Sequence, residues 1–187
     1  MKTTEEIIEA TKGYFCYGIE KEDVQIRIEE ARKMPSGSFA VDFGTGQART
    51  AIVMAMVNPG LTVYTFDIGR SDMTNEALAE RVHVRCAEQG VVNLKYYLGD
   101  AKVIVKDWDK PLHLLNIDAE GDYERTLIEV EEWYPHVVSG GTIFMQSYNL
   151  NGKYPAIKEV VDKYLDDHLG QYKFGELYHN TKVIYKL

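Results

Sequence analysis

The stretch Ser38–Arg49, SFAVDFGTGQAR, constrains this chain most. It opens as an apolar run, Phe39-Ala40-Val41, passes an acid at Asp42, turns on Gly44 and Gly46, and enters a helix-like segment, Ala48–Val57. Glycine belongs where backbone must adopt φ > 0 or let a ligand come close. A helix opening after such a turn points free N–H groups and a positive dipole end at that ligand. A second strand, Leu61–Asp67, follows and ends in another acid. Asp67 follows Gly46 at roughly the 20-residue spacing of an acid that hydrogen-bonds a ribose. The unit reads strand, glycine turn, helix, strand, acid, which is a nucleoside site on an α/β sheet.

The rest of the chain reads as further alternation. Two helices come first, one from Thr3-Thr4-Glu5-Glu6 and one over Asp23–Met34, the latter ended by Pro35-Ser36-Gly37. After Asp67 come a helix over Thr74–Gln89 closed by Gly90, a strand over Val91–Leu98, a short helix over Ala101–Trp108 and a strand over Pro111–Ile117. Tyr123–Val138 is expected as a helix, Ser139-Gly140-Gly141 as a turn, Thr142–Met145 as a strand and Tyr154–Leu169 as the last helix. Tyr172–Leu177 and Lys182–Leu187 close the chain as a hairpin around His179-Asn180-Thr181. Strands alternating with helices imply a parallel sheet, and a hairpin makes its last strands antiparallel.

Length and composition exclude several classes. A chain of 187 residues is expected to form one domain, with 1–36 as a helical cap and 37–187 as the α/β core. Its net charge of −8 argues against a nucleic-acid partner. The longest clean apolar run, Ala51–Val57, is far too short to span a membrane. Two cysteines without a CxxC pattern suit a reducing compartment, so the cytoplasm is expected. A homodimer is left open.

The glycine spelling separates two kinds of site. A dinucleotide fingerprint would need a third glycine where Arg49 stands, which argues against a nicotinamide oxidoreductase. The frame acid-x-Gly-x-Gly fits at Asp42, Gly44 and Gly46. With Asp67, with Leu98-Gly99-Asp100, and with the segment from Ile117-Asp118 to Gln146-Ser147-Tyr148, the chain resembles class I methyltransferases that use S-adenosylmethionine. The branch it resembles contains small-molecule O-methyltransferases and typically reads IDGDHSYE…LKPGGxIxxHDY. The resemblance spans roughly Phe39–Tyr148 and implies a three-layer α/β/α Rossmann-like sheet of seven strands, its last strands a hairpin, preceded by two helices. It implies methyl transfer from S-adenosylmethionine to an oxygen or nitrogen of a small-molecule acceptor.

The same resemblance implies the site. Asp42, Gly44, Thr45 and Gly46 would hold the methionine end of the cofactor, Asp67 the ribose and Asp100 the adenine amino group, with Asp118 adjoining both cofactor and acceptor. Asp118, Glu120 and Tyr148 are the candidate catalytic residues. The family's usual histidine is Gly121 here, and Ser147 stands where a second metal-binding acid often does. A metal-free site therefore stands ahead of a divalent cation on Asp118, Glu120 and Asp122. Asp122 is better placed as a helix cap. The histidines show no metal spacing, and His113 reads as a core or edge residue. Tyr14 and Tyr17 are lid candidates, and Arg70 adjoins a ligand loop. A non-catalytic nucleoside-binding or assembly protein on the same fold is the alternative.

Overall fold

The structure is a computed structural model, and it describes residues 2–14, 19–69, 74–118, 122–148 and 153–187. Its element order is α1 (Thr4–Thr11), α2 (Lys21–Lys33), β1 (Phe39–Phe43), α3 (Arg49–Val57), β2 (Thr62–Asp67), α4 (Asn75–Gln89), β3 (Leu94–Leu98), α5 (Ala101–Ile104), β4 (Leu112–Ile117), α6 (Tyr123–Trp133), β5 (Val137–Met145), α7 (Pro155–Asp167), β6 (Tyr172–Tyr178) and β7 (Thr181–Lys186). The seven strands form one sheet in the order β3-β2-β1-β4-β5-β7-β6. The first five are parallel, and β7 runs antiparallel to both β5 and β6. The expected mixed seven-stranded sheet is therefore the observed one.

Alternation along each strand builds the two helical layers. Ala40, Val63, Leu114, Phe144 and Val183 face one core, shared with Ile7 of α1, Val24, Ile28 and Ala31 of α2, and Ile52 of α3. Val41, Phe66, Leu115, Ile117, Ile143 and Ile184 face the other, with Val130 and Trp133 of α6 and Val160 and Val161 of α7. The two N-terminal helices thus belong to a layer of the core. Their apolar stripes can be buried only by packing on α3 and the sheet.

One expected boundary is corrected. Helix α6 stops at Trp133, a 3-10 turn covers Tyr134–His136, and β5 begins at Val137. Ser139, Gly140 and Gly141, expected as a turn, lie inside β5, where its register against β4 shifts between Leu112 and Leu114. Gly140 holds φ +78°, and a Cβ on Gly141 would sit 2.6 Å from Val137 Cγ1 and 2.9 Å from the Val138 carbonyl oxygen. The glycines make a bulge within a strand, not a break before one.

Candidate active site

The cleft that concerns function lies at the carboxyl ends of the parallel strands, where open α/β sheets bind their ligands. It is lined by Gly44 and Gly46 after β1, Asp67 at the end of β2 and Ile68 after it, Gly99 and Ala101 after β3, Asp118 after β4, and Arg125 and Glu129 on α6. Phe43 and Phe66 also line it. Residues far apart in sequence converge here because parallel strands bring all their carboxyl ends to one edge.

The glycine turn is built for close approach. Gly44 and Gly46 hold φ +76° and +45°, and Ala48 takes φ +60° at the N-cap of α3. A Cβ on Gly44 would lie 3.2 Å from the Asp118 carbonyl oxygen, so a side chain there would press on the next strand end. The Gly44 amide donates to the Phe66 carbonyl at 3.0 Å, tying the loop to β2. Asp67 accepts from the Gly46 amide at 3.1 Å on one carboxylate oxygen and from the Gly69 amide at 2.8 Å on the other. Both oxygens keep further lone pairs for a ligand's hydroxyls.

Asp118 keeps a partial opening to the cleft, yet burial dominates its electrostatics. Burial pushes its carboxyl up to about 7, the buried Arg27 guanidinium opposes that shift, and Asp23 adds to it. No hydrogen bond to this carboxyl is present among the described residues. An acid titrating near neutrality and open to a cleft is suited to proton transfer.

Two of the expected site residues face away from the cleft. Asp42 is 1% exposed, accepts from Thr65 Oγ1 at 2.9 Å and Asn116 Nδ2 at 2.8 Å, and is pushed up to about 7 by burial. Strand parity puts it on the α1–α3 side of the sheet, below the glycine turn. Thr45 is likewise buried, its hydroxyl 2.7 Å from Thr65 Oγ1. These two residues hold the loop's shape and do not line the cleft. Tyr148, expected as a catalytic residue, is also outside the lining. Burial, with the bond of its hydroxyl to Asp162 on α7, pushes that hydroxyl up to about 12. That bond ties the turn after β5, where Tyr148 stands, to α7.

Other expectations fall variously. Asp100 flanks the cleft between Gly99 and Ala101, and its Oδ1 accepts from the Lys102 amide at 3.0 Å as the N-cap of α5. Asp122 caps α6 through the Arg125 amide at 2.8 Å. His113 sits at the sheet's opposite end, its Nδ1 accepting from the Phe39 amide at 3.3 Å. Tyr14 is not a lid over the cleft: its hydroxyl donates to Glu88 on α4 at 2.8 Å and the Arg85 guanidinium lies over its ring. Glu120, Gly121, Tyr17 and Arg70 lie outside the described residues. Among the described residues, no three histidine, cysteine, aspartate or glutamate side chains converge to hold a metal ion. Ser147, at φ +61° and 7% exposed, contributes a hydroxyl where the family's second acid often stands.

Sequence reasoning missed three residues. Arg27 is fully buried and donates to Asn116, Gln146, Thr181 and the Asp23 carbonyl under the strand ends. Arg125 and Glu129 line the cleft from α6. The signal was present in both helices. Arg27 falls on the apolar stripe Val24, Ile28, Ala31, and Glu129 on the stripe Thr126, Val130, Trp133. A charge on a buried helical stripe must meet a partner or line a site.

A mixed sheet with one antiparallel strand inserted near its edge, and a glycine-cradled cleft with an acid after each of β1's two neighbours, define a nucleoside-binding α/β domain. A family model described as a methyltransferase domain matches residues 41–148, more than half of the chain, and the chain belongs to that family. No curated protein matches it. Among solved structures, a candidate caffeoyl-CoA O-methyltransferase from Staphylococcus aureus is 12% identical with a TM-score of 0.75, covering 100% of this chain and 93% of its own. The O-methyltransferase TomG from Streptomyces achromogenes, solved with S-adenosylmethionine, is 14% identical with a TM-score of 0.70, covering 98% and 88%. An rRNA methylase from Streptococcus thermophilus is 17% identical with a TM-score of 0.65, covering 88% and 96%. At these identities the likeness is one of fold. No helix among the described residues is long and apolar enough to cross a membrane.

Proposed function

We propose that this protein transfers a methyl group from S-adenosylmethionine to an oxygen, or a nitrogen, of a small molecule. The observation that carries the reading is the single cleft joining Gly44, Gly46, Asp67 and Asp118 in a chain of the methyltransferase family. The cofactor supplies a methyl group on a sulfonium, already a strong electrophile. What remains for the chain is to bind, align and manage one proton. Asp67 accepts from the ribose hydroxyls, and the bare backbone of Gly44 and Gly46 lets the cofactor lie against the turn. Asp118 takes the proton from a hydroxyl acceptor, with Glu120, two positions on in the sequence, as the other candidate base. The acceptor then lies beyond Asp118, at the ends of β4 and β5. The net charge of −8 favours a small acceptor over the rRNA named for one structural relative.

The test is a thermal-shift and calorimetric comparison of S-adenosylmethionine, S-adenosylhomocysteine and NAD, followed by a methyl-transfer screen over phenols, catechols, carboxylates and amines. Binding of the first two and not NAD supports the cofactor assignment. Cofactor binding with no transfer across the panel supports a non-catalytic nucleoside-binding protein instead. That second reading rests on Gly121 and Ser147, which replace the family's histidine and second acid.

A further inference from the structure

The sheet ends at β3 on one side and at β6 on the other, and only β6 is defended. An edge strand presents unpaired N–H and C=O groups, which charges and bulges normally blunt. β6 carries Lys173 and Glu176 and slips register against β7 between Phe174 and Leu177. β3, Leu94-Lys95-Tyr96-Tyr97-Leu98, pairs with β2 without a break and holds one charge, Lys95. Tyr97 and Leu98 are each 47% exposed on it.

The direction of the free backbone groups follows from the pairing with β2. The Asn93 carbonyl accepts from the Val63 amide at 2.9 Å, and the Gly99 amide donates to the Asp67 carbonyl at 2.8 Å. Odd-numbered residues of β3 therefore turn their backbone groups to β2. Leu94, Tyr96 and Leu98 turn theirs to the open edge. Side chains alternate across the faces in the same rhythm. The Tyr97 ring stacks on Tyr64 at 6.1 Å, and Lys95 Nζ lies 5.3 Å from the Tyr64 centroid, so both occupy the α5 side. Leu94 and Tyr96 pack on the opposite core, and Leu98 shares their parity.

We propose that a second copy of this chain docks on β3, antiparallel about a twofold axis at Tyr96, joining the two sheets edge to edge. The strand is nearly its own reverse, with leucine at both ends and tyrosine at the centre. The axis sets Tyr96 opposite the second copy's Tyr96, and Leu94 opposite the second copy's Leu98. These are the residues whose backbone groups face outward, so each opposed pair exchanges both N–H···O bonds. Lys95 then stands opposite the second copy's Tyr97, in the pair where side chains come closest, and an ammonium over an aromatic face is attractive. A twofold axis makes every such contact twice. Slipping the register by two residues one way would set the two lysines against each other, and the other way would leave each opposite Gly99. The strand bears no acid in a chain of net charge −8, so two copies bring no carboxylates together along it.

The experiment is analytical ultracentrifugation of the full chain over a range of concentrations, with residue-resolved amide hydrogen exchange. Wild type should form a dimer. Its Leu94, Tyr96 and Leu98 amides should be protected in the dimer and lose that protection on dilution, while the Lys95 and Tyr97 amides, which face β2, stay protected throughout. Tyr97→Lys, at an exposed position, places like charges opposite one another twice and should weaken the dimer at least about tenfold. Adding Lys95→Glu to that variant sets opposite charges across the axis and should restore the dimer to within about threefold of wild type. A wild-type chain that stays monomeric at every concentration leaves the edge to some other partner and overturns the proposal. So does a dimer that Tyr97→Lys leaves intact, or one whose Leu94, Tyr96 and Leu98 amides exchange freely. A double variant that remains as weak as Tyr97→Lys overturns the register and the proposal with it.

Discussion

Arg27 Nε and Nη2 both donate to one oxygen, Asn116 Oδ1, at 3.0 and 2.7 Å. Asn116 passes the polarity on, its amide donating to Asp42 Oδ1 at 2.8 Å. Thr65 Oγ1 donates to the other oxygen of Asp42, and Thr181 Oγ1 donates to Asp23 Oδ1 at 2.6 Å. A row of polar side chains thus crosses β2, β1, β4 and β7 on the face that α2 covers, just below the cleft. The glycine turn rests on this row, and the row rests on a helix that precedes the sheet.

Removing that helix's contribution should cost stability. Arg27→Met strips Asn116 Oδ1 of both guanidinium donors and Gln146 Oε1 of one, and a buried acceptor left unmet costs about 1–3 kcal/mol. A fall of at least about 2 kcal/mol in urea denaturation is expected. Arg27→Lys should recover only part of it, because an ammonium cannot reproduce the planar fork. An unchanged midpoint in both variants would remove the network from the account of stability.

Asp67→Ala should weaken S-adenosylhomocysteine at least about tenfold, as hydrogen bonds to a charged group contribute about 1.5–3 kcal/mol. It also frees the Gly46 and Gly69 amides that Asp67 now holds. Gly44→Val should do worse, since φ +76° disfavours a branched side chain and its Cβ would meet Asp118. Calorimetry on folded variants with wild-type affinity would refute the assignment of this turn.

Asp118 should set the pH profile of turnover. A base with its pKa near 7 is active when deprotonated, so kcat should rise from pH 6 to pH 8 and level off above. Asp118→Asn should lower kcat and abolish that rise while leaving cofactor affinity within about threefold. Tyr148→Phe should leave kcat nearly unchanged, because its hydroxyl serves Asp162. A large kcat loss in Tyr148→Phe, with Asp118→Asn silent, would reverse the two roles.

Stability should fall as pH rises through neutrality. The Glu129 carboxyl moves from an ordinary 4.5 to about 7 on folding, so between these values the folded state binds the extra proton. Its contribution is complete below about pH 4.5 and is lost as pH passes through 7, amounting to at most about 3 kcal/mol. Glu129→Gln should flatten that part of the curve. Denaturation midpoints measured from pH 5 to pH 8 that stay parallel in wild type and variant would contradict this linkage.

Chelation should leave turnover largely intact. Of the acids after β4, Asp122 is engaged as a helix cap, and β5 offers Ser147 in place of a carboxylate. Hard divalent cations need several oxygen ligands, and this donor set is poor in them. Loss of activity with EDTA, restored by magnesium or calcium, would show that Asp118 and Glu120 form a metal site.

The sequence by itself determined the order of strands and helices, the glycine turn and the acids that end β2 and β4. Those signals are local: a turn that needs φ > 0 at Gly44 and Gly46, an acid at a fixed distance, a cap at Asp122, a hairpin closed at His179-Asn180. Only the tertiary structure decided which way each side chain faces and what meets it. Parity along β1 turned Asp42 to the face beneath the cleft, where Asn116, 74 positions away, claims it. Packing of α7 on the sheet took Tyr148 for Asp162, and packing of α6 brought Glu129 to the lining of the cleft. The Ser139–Gly141 glycines read as a turn because local chemistry cannot tell a break from a bulge, and pairing with β4 settled it. Local backbone chemistry is written in neighbouring residues, whereas burial and partnership depend on contacts that exist only once the sheet has brought distant segments together.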